Sequence, residues 1–122
     1  MIGYVTVGTN DKDKASAFYD ELLALLGATR IMNYERLVTW GTSPGAPMLG
    51  IIRPYDGKEA CVGNGTMIAL QAPDHATVDK LYEKALALGA ADEGAPGPRG
   101  QSRMYFAYAR DMDGNKLAFY SP

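Results

Sequence analysis

One histidine, one cysteine and one tryptophan stand among 122 residues, and these scarcities exclude whole classes of chemistry. His75 directly follows Asp74, a residue suited to capping a helix, and reads as an exposed first-turn side chain. That leaves no histidine for a Ser-His-Asp or Cys-His arrangement. Cys61 has no partner for an internal disulfide. Its neighbours Ala60 and Val62 offer no activating base, so it reads as a passive thiol suited to a reducing compartment. No apolar run approaches the roughly 18 residues of a membrane span. The opening Met1-Ile2-Gly3-Tyr4 has neither a charged leader nor a long apolar stretch, so the expectation is a soluble cytoplasmic protein. A net charge of −2 supplies no basic face for nucleic acid. The glycines do not form a Gly-x-x-x-x-Gly-Lys-Ser/Thr phosphate loop.

What the chain does have is a repeat. Tyr4-Val5-Thr6-Val7-Gly8 leads to Asp11 and then to a run through Phe18-Tyr19 that stops at Leu26-Gly27-Ala28. At an offset of 63 (4 to 67), Met67-Ile68-Ala69-Leu70-Gln71 leads to Asp74, to Leu81-Tyr82 and to Leu88-Gly89-Ala90. Such self-similarity implies two like units. Residues 2–8 alternate as a strand, with Val5 and Val7 on one face. Ala15, Phe18, Leu22, Leu25 and Leu26 form a helical stripe, as do Val78, Leu81, Ala85 and Leu88. Helices are predicted over about 12–27 and 75–89. Gly27 and Gly89 are expected as left-handed caps.

After each helix the pattern becomes strand-like. Runs rich in β-formers occupy 29–34, 36–41, 48–53, 104–110 and 116–120. Asp113-Gly114 between two such runs predicts a hairpin. Residues 92–103 carry three glycines and two prolines and read as a loop, with room for a short strand at its start. The expected fold class is α+β: paired βαβββ modules forming a curved mixed sheet around a cavity, with helices on the outer face. One domain is expected over residues 1–122, module 1 covering about 1–60 and module 2 about 61–122.

With these elements in place the chain resembles the vicinal oxygen chelate superfamily of glyoxalases, bleomycin-resistance proteins and extradiol dioxygenases. The resemblance spans nearly the whole chain. Ala17-Phe18-Tyr19-Asp20, Arg53-Pro54-Tyr55-Asp56-Gly57-Lys58, Gly63-Asn64-Gly65-Thr66 and Arg110-Asp111-Met112-Asp113-Gly114-Asn115-Lys116 carry it, with Met112 in place of the usual proline. It implies lyase or dioxygenase ancestry and a divalent metal acting as a Lewis acid on two substrate oxygens. It also implies ligands on the first and last strand of each unit. Here those places hold Tyr4, Gly50, Met67 and Ala118. A phenol, a bare backbone, a thioether and a methyl group do not suit a divalent ion. The expectation is therefore no metal and no cofactor.

Strand parity names the candidate ligand-binding residues. Tyr4 and Thr6 share a face, as do Met67 and Ala69, with Gly50 and Ala118 on the closing strands. These inward positions are mostly apolar, as in pockets for small organic ligands. The alternative is that Tyr4 and Met67 fill the space of a lost metal, since methionine packs irregular gaps. Trp40, Tyr105 and Tyr108 are candidate stacking rings, or else core. Arg99 and Arg103 are candidate anion contacts at the cavity mouth, or else solvated surface. Tyr4 is the one catalytic candidate, as an acid or as a donor to an oxyanion. Three functions stay open: a metal-free binder of a small molecule, a lyase or isomerase resembling lactoylglutathione lyase with a non-standard metal site, and a structural or regulatory protein. A homodimer is expected, because open sheets leave edges to cover.

Overall fold

The computed structural model describes all residues, Met1–Pro122, as two compact units, Met1–Val62 and Gly63–Pro122. Unit 1 runs β1 (Tyr4–Gly8), α1 (Lys12–Ala24), β2 (Thr29–Asn33), β3 (Leu37–Gly41) and β4 (Met48–Ile52). Unit 2 runs β5 (Ile68–Gln71), α2 (His75–Ala87), β6 (Ala91–Arg99), β7 (Met104–Arg110) and β8 (Lys116–Ser121). Each unit holds one four-stranded mixed sheet, ordered β1-β4-β3-β2 and β5-β8-β7-β6. The first strand of each lies parallel to the last, and the remaining pairs are antiparallel. The fold class is α+β, built from paired βαβββ modules. No helix is long and apolar enough to cross a membrane.

The two helices begin alike. The Asp11 carboxylate accepts from Lys14 N–H at 3.1 Å, and the Asp74 carboxylate accepts from Thr77 N–H at 2.8 Å. Each satisfies one of the free amides of a first turn. They also end alike. Ala28 N–H reaches back to Leu23 O, and Ala90 N–H to Ala85 O, across Gly27 and Gly89 at positive φ. That is the bond pattern of a glycine-terminated helix. Regular helix stops at Ala24 and Ala87, short of the predicted 27 and 89, because the last turn tightens into three-residue bonds such as Leu25 N–H to Leu22 O. Leu25 is exposed rather than on the apolar stripe; Leu22 is buried as expected, and Leu23 is buried with it.

Each helix covers one face of its own sheet. In unit 1, Val38, Trp40, Leu49 and Ile51 point at Phe18, Tyr19 and Leu22, all buried. In unit 2, Ala107, Ala109, Leu117 and Phe119 take the same places against Val78, Leu81 and Ala85. Removing such side chains from water is the main favourable term, about 1.5–3 kcal/mol for each large aliphatic or phenylalanine.

One strand departs from the sequence reading. Residues 91–99 form β6, despite Pro96 and Pro98. Proline cannot donate to a ladder, and β6 lies at the sheet edge, where this is tolerated. Register shifts around Gly94 and between Gly94 and Gly97 absorb the irregular composition. The β7–β8 hairpin forms as predicted. The buried Asp111 carboxylate accepts from Asp113 N–H, Asn115 N–H and Asn115 Nδ2 at 2.9–3.0 Å, with Gly114 at φ 86°.

Candidate functional site

Strand parity in unit 2 sorts its aromatic side chains onto two faces. Tyr105 lies on the helix side. Its hydroxyl donates to Asp79 Oδ1 at 2.7 Å, which raises the phenol's pKa, with burial adding to the shift. Its ring stacks on His75 at 4.2 Å, and His75 Nε2 lies 2.8 Å from Pro122 O. Phe106 and Tyr108 lie on the other side. Their rings are near-parallel, 5.7 Å apart, and Phe106 also stacks on its cross-strand partner Tyr120 at 5.2 Å. The result is a stripe of three half-buried rings, Tyr120–Phe106–Tyr108, across β8 and β7. Glycine at position 94 permits it, since a Cβ there would lie 2.9 Å from Tyr108 Cδ2.

Two cations flank the end of the stripe. The Arg99 guanidinium carbon sits 5.8 Å from the Tyr108 ring centre, and Lys116 Nζ sits 5.2 Å from it. Both distances lie within the range of cation–π attraction. Arg99 is steadied by donating to Ala95 O at 2.5 Å. Ala69 and Ala118 pair across β5 and β8 on this face, Ala69 exposed and Ala118 buried. Met67, just before β5, is exposed.

Unit 1 offers a different surface on its helix-free face. Tyr4 and Thr6 are exposed on β1 beside Met48 and Gly50 of β4, and Thr39 of β3 pairs with Gly50. Those positions carry two threonines, a methionine and a glycine beside Tyr4, the one ring among them. Gly50 is confined: a Cβ there would lie 3.0 Å from Thr39 Cγ2.

Several sequence candidates thus move. Trp40 is a core residue, 2% exposed, on the helix side of β3. Its indole N–H donates to Asp20 Oδ1 at 2.9 Å, and its ring packs against Tyr19, so it presents no face to a ligand. Two further bonds from Arg30 to Asp20, at 2.7 and 2.8 Å, hold that carboxyl below the usual range against the opposing push of burial. Tyr105 is likewise taken up by the helix. Arg103 lies exposed in the turn after β6, at φ 56°. Of the stacking and cationic candidates, the structure brings together Tyr108 and Arg99. Phe106 is not among the sequence candidates, and Tyr120 and Lys116 enter the sequence reading only as neighbours of Ala118 on one face. Strand alternation already places Lys116 and Tyr120 on the face of Ala118, and the same alternation along β7 puts Phe106 with Tyr108.

The positions where the resemblance places metal ligands do not fit a metal. In unit 1 they are Tyr4 and the side-chain-less Gly50; in unit 2 they are Met67 and the buried methyl of Ala118. No three His, Cys, Asp or Glu side chains converge on a point that could hold an ion.

The family model described as glyoxalase/bleomycin resistance protein/dioxygenase superfamily matches residues 1–119. The chain belongs to this superfamily. Among solved structures, a glyoxalase/bleomycin resistance protein from Albidiferax ferrireducens is 34% identical, with a TM-score of 0.91, covering 100% of this chain and 99% of that one. Lactoylglutathione lyase from Agrobacterium tumefaciens is 24% identical, with a TM-score of 0.71 over 98% of this chain and 92% of its own. TioX from Micromonospora is 18% identical, with a TM-score of 0.67 over 98% and 97%. At those two identities the likeness is one of fold. No curated protein matches the chain. In the Arg110–Lys116 hairpin, Asp111 and Asn115 bond to one another and across the turn, a structural role.

Proposed function

We propose that this superfamily member is a cytoplasmic homodimer that binds a small, flat organic acid, without a metal at the superfamily's usual position. The observation that carries the reading is the Tyr120–Phe106–Tyr108 stripe with Arg99 and Lys116 at its end. Stacked rings attract a planar apolar body, and the flanking cations favour a carboxylate at its edge. Met67, exposed just before β5, and Ala69, exposed within it, would extend the apolar surface.

A panel of aromatic and aliphatic carboxylates, titrated by calorimetry, tests the ligand class. Tyr108→Ala should weaken the best binder by about 0.5–1.5 kcal/mol, the worth of an aromatic pair beyond its buried area. If no acid binds, or if binding ignores both Tyr108→Ala and Arg99→Gln, the reading is wrong. Nickel, zinc and manganese test the metal. A ligand at a hundredfold excess over its dissociation constant stabilises the native state by about 2.7 kcal/mol. A rise of that kind, abolished by Tyr4→Phe or Met67→Ala, would favour the metal-dependent lyase or isomerase instead. Sedimentation at high micromolar concentration tests the dimer, and a 13.1 kDa species would refute it. Cell fractionation tests the compartment, and recovery from a membrane or secreted fraction would contradict it.

A further inference from the structure

Unit 1 carries a second surface feature that owes nothing to the aromatic stripe of unit 2. Where β4 ends, the chain turns sharply through Pro54-Tyr55-Asp56-Gly57. Gly57 sits at φ 73° and its N–H donates to Pro54 O at 3.0 Å; Lys58 N–H donates to Asp56 Oδ1 at 2.9 Å. The segment that follows is fastened to the start of α1 by Asn10. Its Oδ1 accepts from Ala60 N–H at 2.6 Å, and its Nδ2 donates to Ala60 O at 3.2 Å. This two-way bond between residues 50 apart in sequence holds the turn over the ends of β1 and β4 and leaves a groove of about 410 Å³ beneath it.

The groove is cationic. Arg36, Arg53 and Lys58 line it, against the single carboxylate of Glu59. Arg36 comes from the approach to β3, 22 residues before Lys58, and only folding joins them. The Arg36 guanidinium carbon lies 5.0 Å from the Tyr55 ring centre. Resting on an aromatic face leaves the edge N–H groups of a guanidinium free to donate. Arg36 and Lys58 have no carboxylate partner. Arg53 has a weak one: Glu35 lies 3.5 Å away with its side chain 94% exposed. Surface pairs of that kind contribute little and yield to a better ligand. A neighbouring hollow shares Asn10 and Arg53 but adds three carboxylates, Asp11, Asp13 and Glu35, against the one further cation Lys12. An anion is therefore attracted to one side of Arg53 and repelled from the other.

We propose that this groove is a binding site for a small dianion, a phosphate monoester or a dicarboxylate, held by Arg36, Arg53 and Lys58. The lining holds three cations against one carboxylate, and the weak Glu35 pair on Arg53 is all that offsets the excess; once a ligand displaces Glu35, two positive charges are uncompensated, which a dianion matches better than a monoanion. Guanidinium forks match the paired oxygens of both ligand types.

The test is calorimetry on the full chain at constant ionic strength, with inorganic phosphate, succinate and acetate as separate probes. At least one dianion should bind saturably and more tightly than acetate. Arg36→Gln and Lys58→Gln should each weaken it roughly tenfold, the loss expected for one charge-assisted contact. Lys80→Gln, which removes one exposed charge from α2, should leave it unchanged. Phosphate alone binding points to phosphorylated ligands; succinate alone points to dicarboxylates. Lys58 stands on an exposed turn, so Lys58→Gln decides the matter even if Arg36→Gln does not fold. The proposal is overturned if neither dianion saturates, if acetate binds as tightly, or if binding survives Lys58→Gln intact.

Discussion

The two units share a topology but distribute their bulk on opposite faces of it. In unit 1 the large ring of the third strand points at the helix: Trp40, paired with Leu49. In unit 2 the matching place holds Ala109, paired with Leu117. On the other face the order reverses. Thr39 and Gly50 of unit 1 stand where unit 2 has Tyr108 and Ala118. The same strand order and the same caps therefore support an aromatic core with a plain outer sheet face in one unit, and a small-residue core strand with an aromatic outer face in the other. Topology follows from periodicity and caps, which the repeat preserves. Surface chemistry follows from which face receives the rings, and a one-residue change in position reverses it.

The largest expected effect breaks this contrast at its centre. Trp40→Ala should cost about 3–5 kcal/mol of unfolding free energy, as a buried cavity left by an aromatic does. Tyr108→Ala should cost about 1 kcal/mol or less, the range of a cross-strand pair, while weakening ligand binding. Denaturant unfolding of both variants measures the difference; equal losses would mean that Tyr108 is core as well. Next in size, Ala109→Leu forces bulk into the place Trp40 fills in unit 1. Overpacking there should destabilise by about 1–3 kcal/mol, and a neutral result would show unit 2 has room on its helix side.

The caps should respond alike in both units. Asp11→Ala and Asp74→Ala should each lower stability by about 1 kcal/mol, with Asp74→Ala the larger, because Asp74 also accepts from the Thr77 hydroxyl at 2.6 Å. Thermal unfolding of the pair checks the equivalence. The smallest effect is a difference in pH response. Asp20 has a lowered pKa in the folded chain, chiefly through Arg30. Its contribution is present above the unfolded value of about 3.9 and is lost as pH falls through the lower folded value. Tyr105 has a raised pKa, chiefly through its bond to Asp79. Its contribution is present below the unfolded value of about 10 and is lost as pH rises through the higher folded one. Melting temperatures should show Asp20→Asn converging on the parent in acid and Tyr105→Phe converging in alkali. The reverse order would contradict both assignments.

Much of this fold was legible along the chain. Asp11 with Gly27, and Asp74 with Gly89, bracket the helices because capping is a local bond between near neighbours. Asp111 to Asn115 announced its hairpin for the same reason. Residues 91–99 are where the sequence misleads: Pro96 and Pro98 argue against a strand beyond a short start, and only the position of β6 at an edge makes them harmless. For Trp40 and Tyr105 the sequence leaves two readings, stacking ring or core, because composition marks an aromatic residue without saying which way it faces. Facing is settled by Asp20 beside Trp40 and by Asp79 beside Tyr105, both on helices.

Local chain chemistry thus determined the repeat, the caps, the hairpin and the superfamily, since each rests on residues within a few positions of one another or on a pattern of fixed period. Tertiary structure alone decided which rings form a stripe and which form core, and it alone gathered Arg36, Arg53 and Lys58 around one groove. The physical reason is distance. A charge cluster or a stacked surface is made between strands and turns far apart in sequence, and its existence depends on register and on the Asn10–Ala60 fastening, which no local pattern encodes.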